Sequence, residues 1–312
     1  MKVKTDTVLK NFWRDNERFA DLFNAAFFDG KKVIRPEELE ESDTDLSGVL
    51  KFGGYGESVQ KIMDVVKKRR DGTDFAILGL ENQQRVHLGM PLRIMLGDAF
   101  GYLKEYQSIA KGNRADRRGG SSAEFLSGFR KGNRLHPIVT LCVYYGENLW
   151  DGPITLADMM EIPAKFRPLV NDYRMHLIQV RESEELHFHN PDVRTVFEVS
   201  RDIYNKNYDK LQNIYQEETL DPELGLVIGA ITESKELINH ALEKKGGSMN
   251  MCKALEELKQ EGAREGVREK LKQIIRKKLA KGNTVKEIAD ALEENEDVIQ
   301  ELIGEIQKEA AI

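Results

Sequence analysis

The sequence predicts an α/β fold in which a mixed β-sheet is flanked by helices and followed by a helical C-terminal appendage. Three observations predict it: a strand, turn and strand pattern over residues 64–83, a mostly β-branched and aromatic run over 138–145, and helical apolar spacing around both. Sheets that are flanked by helices in the chain bury their faces against those helices. The pattern after Asn190 is helical to the end, which indicates the appendage.

The hairpin is the most sharply defined local element. Residues 64–68 and 74–81 have strand character and flank an Asp-Gly pair at 71–72. An Asp-Gly pair supplies the positive φ angles that a tight two-residue turn requires. With that pair at the centre of the turn, Asp64 is expected to face Gly79.

Apolar spacing predicts the remaining elements of the first 245 residues. Recurrence at three and four residues indicates helices, short β-branched runs indicate strands, and a proline among many acids indicates a loop. The predicted helices span 5–28, 91–106, 196–215 and 224–242, the predicted strands 138–145 and 175–180, and the predicted loop 29–47. The segment 110–134, rich in Gly, Ser, Arg and Lys, is expected to be a mobile insertion whose basic residues approach phosphate.

Composition shifts divide the chain into three expected parts: an α/β domain over 1–195, a helical extension over 196–245, and a helical tail over 246–312. In the tail, Thr284 and Glu287 have the spacing of a capping box, and Asn295 is expected to cap a last helix. This arrangement is typical of a helix-turn-helix that reads DNA, but the helix after Asn295 is acidic, which disfavours groove insertion.

Self-association is an equally weighted interpretation of the tail. It would use an apolar stripe that forms a homo-oligomer interface through the C-terminal helices. The stripe consists of Leu255, Leu258, Leu271, Ile274, Ile275 and Leu279.

Bulk composition excludes several classes. No stretch approaches the roughly 20 apolar residues that cross a bilayer, and no signal-like run follows Met1, so we expect a cytoplasmic protein without a membrane partner. Cys142 and Cys252 are too few and too far apart for a disulfide framework or a cysteine zinc site. The net charge of −6 argues against a uniformly basic nucleic-acid coat and leaves local patches open.

Asp64, Glu81 and Gln83 form the candidate site. In the expected register all three emerge on one face of the hairpin, and Gly79 leaves room between the two carboxylates. Two carboxylates beside apolar residues are costly without a partner, and a divalent cation removes that cost. Oxygen ligands suit Mg²⁺ or Mn²⁺ in preference to zinc, and such an ion promotes phosphodiester hydrolysis.

The histidines give no comparable pattern. His87, His136 and His176 are scattered, and each is expected to be packed or capped. His187 and His189 would share a strand face, but no third ligand is evident. Trp150 is expected to close a turn against the core, and Asp71 is expected to be a turn residue.

Several blocks of the first 190 residues resemble a known family. An Asp before one strand followed by Glu-X-Gln on the next is similar to the PD-(D/E)XK nuclease core, with Gln83 where that family often has Lys. A longer succession of motifs resembles the recombination-promoting nuclease (Rpn) and transposase family. The motifs begin at Met63-Asp64, Ala76, His87, Met90-Pro91, Val143, Trp150 and Val170.

The resemblance implies a Mg²⁺-dependent DNA endonuclease, linked to recombination, mobile elements or phage defence. Asp64 and Glu81 would be metal ligands, and Gln83 would orient the attacking water or the phosphate. Glutamine supplies neither a base nor a positive charge, so the water would depend on the metal or the phosphate for activation. A third acid would be Asp6 or a residue of the segment 43–45.

Two other functions stay open. A non-catalytic DNA-binding or assembly protein would keep the nuclease fold without the reaction, and Gln83 in place of Lys is compatible with it. An RNA-directed nuclease would use similar phosphodiester chemistry.

Overall fold

A computed structural model gives the architecture. It describes residues 5–42, 49–52, 55–58, 65–69, 74–80, 86–116, 121–215, 219–243, 247, 249 and 251–310. The chain divides into two compact units, residues 1–251 and 252–312. Residues 196–243 lie in the first unit, and residues 252–310 lie in the second.

The first unit combines helices with short strands. Its helices are α1 (Thr5–Arg14), α2 (Asn16–Phe28), α3 (Met90–Ala115), α4 (Ser122–Ser127), α5 (Pro191–Tyr204), α6 (Tyr208–Ile214), α7 (Pro222–Ile231) and α8 (Lys235–Glu243). Its strands are β1 (Leu39–Glu41), β2 (Val49–Phe52), β3 (Tyr55–Ser58), β4 (Val65–Arg69), β5 (Asp74–Leu80), β6 (Ile138–Tyr144) and β7 (His176–Gln179).

The main sheet is mixed, as predicted. Its order is β1-β4-β5-β6-β7. The strand β4 pairs antiparallel with both β1 and β5, while β6 pairs parallel with both β5 and β7. The strands β2 and β3 form a separate antiparallel pair that the sequence analysis did not predict.

The predicted hairpin register is wrong by one residue. Val65 pairs with Ile77 and Lys68 pairs with Asp74, whereas a turn centred on 71–72 would pair Val65 with Leu78. The pair 68–74 leaves an odd number of residues between its members, and a two-residue turn closes only an even number. The expected pairing of Asp64 with Gly79 is not a continuation of this ladder. The shared face expected for Asp64, Glu81 and Gln83 was derived from that pairing, so it does not follow from the observed register.

Helices cover both faces of the sheet. On one face Val66, Cys142 and Tyr144 form a buried cluster with Met90 and Ile94 of α3. On the other face Tyr145, next in the chain after β6, accepts a 2.7 Å hydrogen bond from the indole of Trp13, near the end of α1. Alternation of side chains along the strands accounts for this division.

The predicted helix 5–28 is interrupted at Asp15. That residue has extended backbone angles (φ −63°, ψ 130°), and its carboxylate accepts hydrogen bonds from the N–H groups of Glu17 and Arg18. Asp15 is thus an N-cap, and a cap requires non-helical backbone. Two helices result where continuous apolar spacing indicated one.

Other boundaries also differ from prediction. The expected loop 29–47 contains β1, which pairs with β4, and α3 continues through Ala115 into the expected insertion. The predicted helix 196–215 is divided at Lys206 (φ 59°), and the predicted helix 224–242 is divided at Glu233 (φ 54°). A left-handed residue ends a helix because its backbone cannot continue the helical hydrogen bonds.

The second unit consists of α9 (Met251–Leu279), α10 (Val285–Leu292) and α11 (Glu296–Ala310). The predicted capping box is present between Thr284 and Glu287. Ile275 is fully buried with Ile288 and Ile299, and Leu271 and Leu279 pack against the same cluster. This part of the stripe proposed for self-association is therefore used inside the unit.

Within the part of the chain that the structure describes, every helix is too short or too polar to span a lipid bilayer.

Candidate functional site

Four strand ends and one strand beginning meet at one edge of the main sheet. Leu80, Tyr144 and Gln179 end the parallel strands and lie in register with one another. Because β4 runs the opposite way, it begins at this edge with Val65. The strand β1 ends here too, and the N–H of Ser42 donates a 3.0 Å hydrogen bond to the carbonyl of Val66. We call this end of the sheet the carboxyl edge.

The candidate residues flank these strand ends in the chain but are not themselves described. Asp64 immediately precedes β4, Glu81 immediately follows β5, and Gln83 comes two residues later. These three residues, and the segment 43–45, lie outside the described residues. The structure therefore brings together the strands that carry the predicted acids and leaves the acids' own geometry as a prediction.

Asp6, the other candidate for a third acid, is described. It lies in the first turn of α1, where one carboxylate oxygen is 2.5 Å from the ammonium of Lys10. This ion pair already supplies a cationic partner to Asp6, so Asp6 does not need a metal for charge compensation.

Aromatic and amide groups close the carboxyl edge on the α3 side. The rings of Tyr144 and Trp150 meet edge to face with centroids 5.3 Å apart, and the indole N–H of Trp150 donates to the carbonyl of Gly152 at 2.9 Å. The side chain of Gln179 accepts from the backbone N–H of Trp150 at 2.6 Å and donates to Glu182 at 2.7 Å. Trp150 thus closes a turn against the core, as predicted.

Burial and the nearby charge of Asp151 raise the pKa of the Tyr144 hydroxyl above its ordinary value. Tyr144 is therefore a neutral phenol at physiological pH, suited to packing and hydrogen bonding and not to proton abstraction.

The position after Tyr145 is occupied by glycine because a side chain there would meet Tyr144. A Cβ at this position would lie 2.2 Å from the hydroxyl oxygen of Tyr144. Tyr145, between them, is fully buried, and its carbonyl lies 2.5 Å from the hydroxyl of Tyr204. The sequence Tyr144-Tyr145-Gly146 therefore folds the chain tightly where β6 leaves the sheet.

Lys67 is a buried cation that the sequence analysis did not single out. It lies on β4 and is 1% exposed, and its ammonium donates to the carbonyl of Arg14 at 2.5 Å and to the side chain of Asn16 at 2.7 Å. Burial lowers its pKa, while Glu41, 3.9 Å away, opposes that effect. Nothing in the run Val65 to Lys68 marks this lysine as the buried one.

Asp98 is the other missed group. Its carboxylate is buried and accepts a 2.5 Å hydrogen bond from Thr140 and a second one from the hydroxyl of Tyr173. Burial raises the pKa of Asp98, although both hydroxyl donors oppose the shift, and burial also raises the pKa of Tyr173. Helical spacing from Ile94 indicates a core position at Asp98, so the burial of this residue could have been predicted from the sequence.

The described histidines do not assemble a metal site. Nδ1 of His187 lies 3.1 Å from the carboxylate of Asp29, His136 is bonded to Glu105, and the ring of His176 contacts Phe27 edge to face. Among the residues that the structure describes, no group of three or more His, Cys, Asp or Glu could hold a metal ion.

Comparison with known proteins gives no match among family models, curated proteins or solved structures. The resemblance to the Rpn family accordingly stays a prediction.

Proposed function

We propose that the chain is a metal-dependent endonuclease that hydrolyses phosphodiester bonds in DNA. The observation that carries the proposal is the arrangement of β4 and β5. They are neighbouring antiparallel strands, and Asp64 and Glu81 are attached to the two ends that point to the carboxyl edge. The proposal rests on these strand ends and not on a ladder pair, because the observed register does not pair Asp64 with Gly79.

The chemistry of the donor set fits a hard divalent cation. Asp64 and Glu81 supply carboxylate oxygens, which Mg²⁺ and Mn²⁺ prefer. When bound, such an ion neutralises phosphate charge and lowers the pKa of a coordinated water. Gln83 would orient the water or the phosphate through hydrogen bonds, since an amide exchanges no proton at neutral pH.

A third acid is best sought after β1. The backbone of Ser42 is bonded to Val66, so the chain leaves β1 beside the first residues of β4, and the segment 43–45 follows directly. Asp6 is already paired with Lys10. We therefore favour Asp43 or Asp45 over Asp6 as the additional ligand.

Plasmid nicking tests the proposal. The full chain would be incubated with supercoiled DNA in Mg²⁺, in Mn²⁺ and in EDTA, alongside Asp64→Asn and Glu81→Gln. Each substitution is isosteric and removes one ligand charge, and we expect each to reduce the nicking rate by about 100-fold or more, in the range of losses for removal of a catalytic electrostatic group. Asp71→Asn is the matched control, because this acid belongs to the hairpin connection and is not proposed as a ligand.

Two outcomes would contradict the proposed nuclease site, and a third would change its substrate. Nicking that persists in both site variants places the reaction elsewhere. DNA binding without any cleavage by the wild type supports a non-catalytic DNA-binding protein instead. Cleavage of a single-stranded RNA in preference to DNA would change the substrate and leave the site.

A further inference from the structure

Two adjacent apolar side chains on α4 are almost entirely exposed. Phe125 and Leu126 are 86% and 85% exposed, more than any other large hydrophobic residue that the structure describes. Single exposed apolar residues are common, but a protruding pair of this size is a candidate contact surface.

The helix that carries this pair is fixed at both ends. Ser121 and Glu124 form a capping box at its start, and Gly128 ends it in the left-handed conformation (φ 69°). The carboxylate of Glu124 also accepts a 3.0 Å hydrogen bond from the N–H of Lys131. Phe125 and Leu126 therefore protrude from a helix whose ends are fixed.

Side chains of α3 contact the residues that follow α4 and hold them in place. The ring of Phe129 stacks on Tyr106 with centroids 5.6 Å apart. The amide of Asn113 donates to the carbonyl of Gly128 at 2.9 Å and to the side chain of Asn133 at 2.7 Å. The protruding pair is thus mounted on the long helix α3, which packs on the sheet.

The chain segment that carries the pair is strongly cationic in composition. Residues 110–134 contain seven Lys or Arg against two acids, a local charge of +5 in a chain of net charge −6. Both acids are engaged: Arg130 lies 3.0 Å from Asp116, and Glu124 accepts backbone N–H groups. The exposed cations include Lys111, Arg114, Lys131 and Arg134.

We propose that α4 is a DNA-binding wedge. Phe125 and Leu126 contact bases, by stacking on them or by insertion at a base step, while the surrounding lysines and arginines neutralise phosphates. The positive charge of the segment fits a polyanionic partner. The exposed apolar pair fits a polyanion that also has flat apolar surfaces, as the bases of DNA do. The inference rests on the proposed nuclease function for the choice of DNA, and it assigns substrate binding to a segment separate in sequence from Asp64 and Glu81.

Fluorescence anisotropy of the full chain tests the wedge. Labelled duplex and single-stranded oligonucleotides would be titrated in EDTA, which prevents metal-dependent cleavage. The double variant Phe125→Ala with Leu126→Ala is expected to bind about tenfold more weakly with an unchanged salt slope, because stacking is lost and charge is not. Lys111→Ala with Lys131→Ala is expected to reduce the slope of log affinity against log salt on duplex DNA by about 2.

The control is Ile214→Ala, an exposed apolar residue on α6 (46% exposed) outside the cationic segment, which is expected to leave DNA affinity unchanged. Wild-type affinity in the double variant would overturn the wedge. So would a shift of that variant to a smaller mass in size-exclusion chromatography, because it would assign the pair to a second copy of the chain. Loss of binding to anionic vesicles with DNA affinity intact would assign the pair to a lipid surface.

The two proposals fail separately. If Asp64→Asn and Glu81→Gln nick DNA like the wild type while the double variant binds poorly, the wedge stands and the nuclease site does not. If the site variants lose nicking and the double variant binds normally, the reverse holds.

Discussion

The ammonium of Lys67 lies 2.5 Å from the carbonyl oxygen of Arg14, so a strand of the sheet caps the end of the first helix. The last carbonyls of a helix lack intrahelical partners, and a cation there also interacts favourably with the helix dipole. The same ammonium bonds Asn16 at the start of α2. Lys67 therefore fixes the break between α1 and α2 against β4.

Replacing Lys67 by methionine should destabilise the first unit. The substitution keeps most of the volume but leaves the carbonyl of Arg14 and the amide of Asn16 without their donor, which costs about 1–3 kcal/mol. Urea unfolding of the full chain at pH 7 measures it. Lys68→Met is the matched control on the next, exposed residue, and a cost equal to that of Lys67→Met would remove the capping role.

Lys67 also predicts a pH dependence. Burial lowers its pKa in the folded state below the ordinary 10.5, so the unfolded chain holds this proton more tightly. Wild-type stability, measured relative to Lys67→Met, should rise as pH increases from the lowered pKa towards 10.5. Paired urea titrations across this range check the sign, and a relative stability that falls with pH would contradict it.

Asp98 predicts the opposite pH response. Burial raises its pKa above 3.8, so the folded state holds the proton more tightly than the unfolded chain does. The wild type should gain stability relative to Asp98→Asn as pH falls from 7 through the raised pKa.

Asp98→Ala should cost about 2–4 kcal/mol at pH 7, because Thr140 and Tyr173 both lose their acceptor. Urea unfolding of both variants provides the measurement, and a cost for Asp98→Ala no greater than that of Asp98→Asn would exclude the network.

Gly146 and Tyr144 should be energetically coupled. A methyl group at residue 146 would lie 2.2 Å from the Tyr144 hydroxyl oxygen, so Gly146→Ala should cost about 1–3 kcal/mol by overpacking. In the background Tyr144→Ala the ring is absent, and the same change should cost less. A double-mutant cycle in urea gives the interaction energy, and additive costs would show that the glycine is required for another reason.

Glu305 predicts acid sensitivity of the second unit. Hydrogen bonds from Arg268 and Lys272 hold the pKa of Glu305 at about 2, against an ordinary 4.5. Its contribution to stability is complete above pH 4.5 and is lost as pH falls towards 2. Hydrogen exchange of α11 should therefore be faster in Glu305→Gln than in the wild type at pH 6, with the difference shrinking in acid.

Glu301→Gln is the comparison for that measurement. Glu301 is 63% exposed and lies 2.7 Å from Arg268, and among the described residues no ion pair joins it to Lys272, so its substitution should have the smaller effect. Equal effects of the two substitutions would mean that the contact with Lys272 contributes nothing.

How far the sequence predicts this fold depends on the kind of element. The run 138–145 was confirmed as β6, which covers Ile138–Tyr144. A strand that lies between two parallel strands and is covered by helices on both faces is apolar along its whole length, and the sequence shows this pattern. The three residues of β1, Leu39 to Glu41, carry no such signal, and their strand conformation depends on pairing with β4. The hairpin was confirmed in kind but not in register, because the register depends on the length of a connection that composition does not reveal.

The residues at and near the candidate site also differ in how far the sequence predicts their positions. Helical spacing places Asp98 on the core side of α3, so its burial follows from the sequence, but its two hydroxyl partners come from distant segments. Lys67 follows two valines on its strand, and buried lysines are rare, so only its contact with the helix break explains it. The strand ends flanking Asp64 and Glu81 follow from the hairpin, while the direction of each carboxylate depends on the register.

The two compact units differ in their content of aromatic residues. Trp13 and Trp150 both belong to residues 1–251, and residues 252–312 contain no Trp, Tyr or Phe at all. Tryptophan emission therefore follows the sheet and its covering helices alone, while far-ultraviolet circular dichroism is sensitive to both units. If the two signals report different denaturation midpoints, the aromatic-free C-terminal helices lose their structure independently of the sheet.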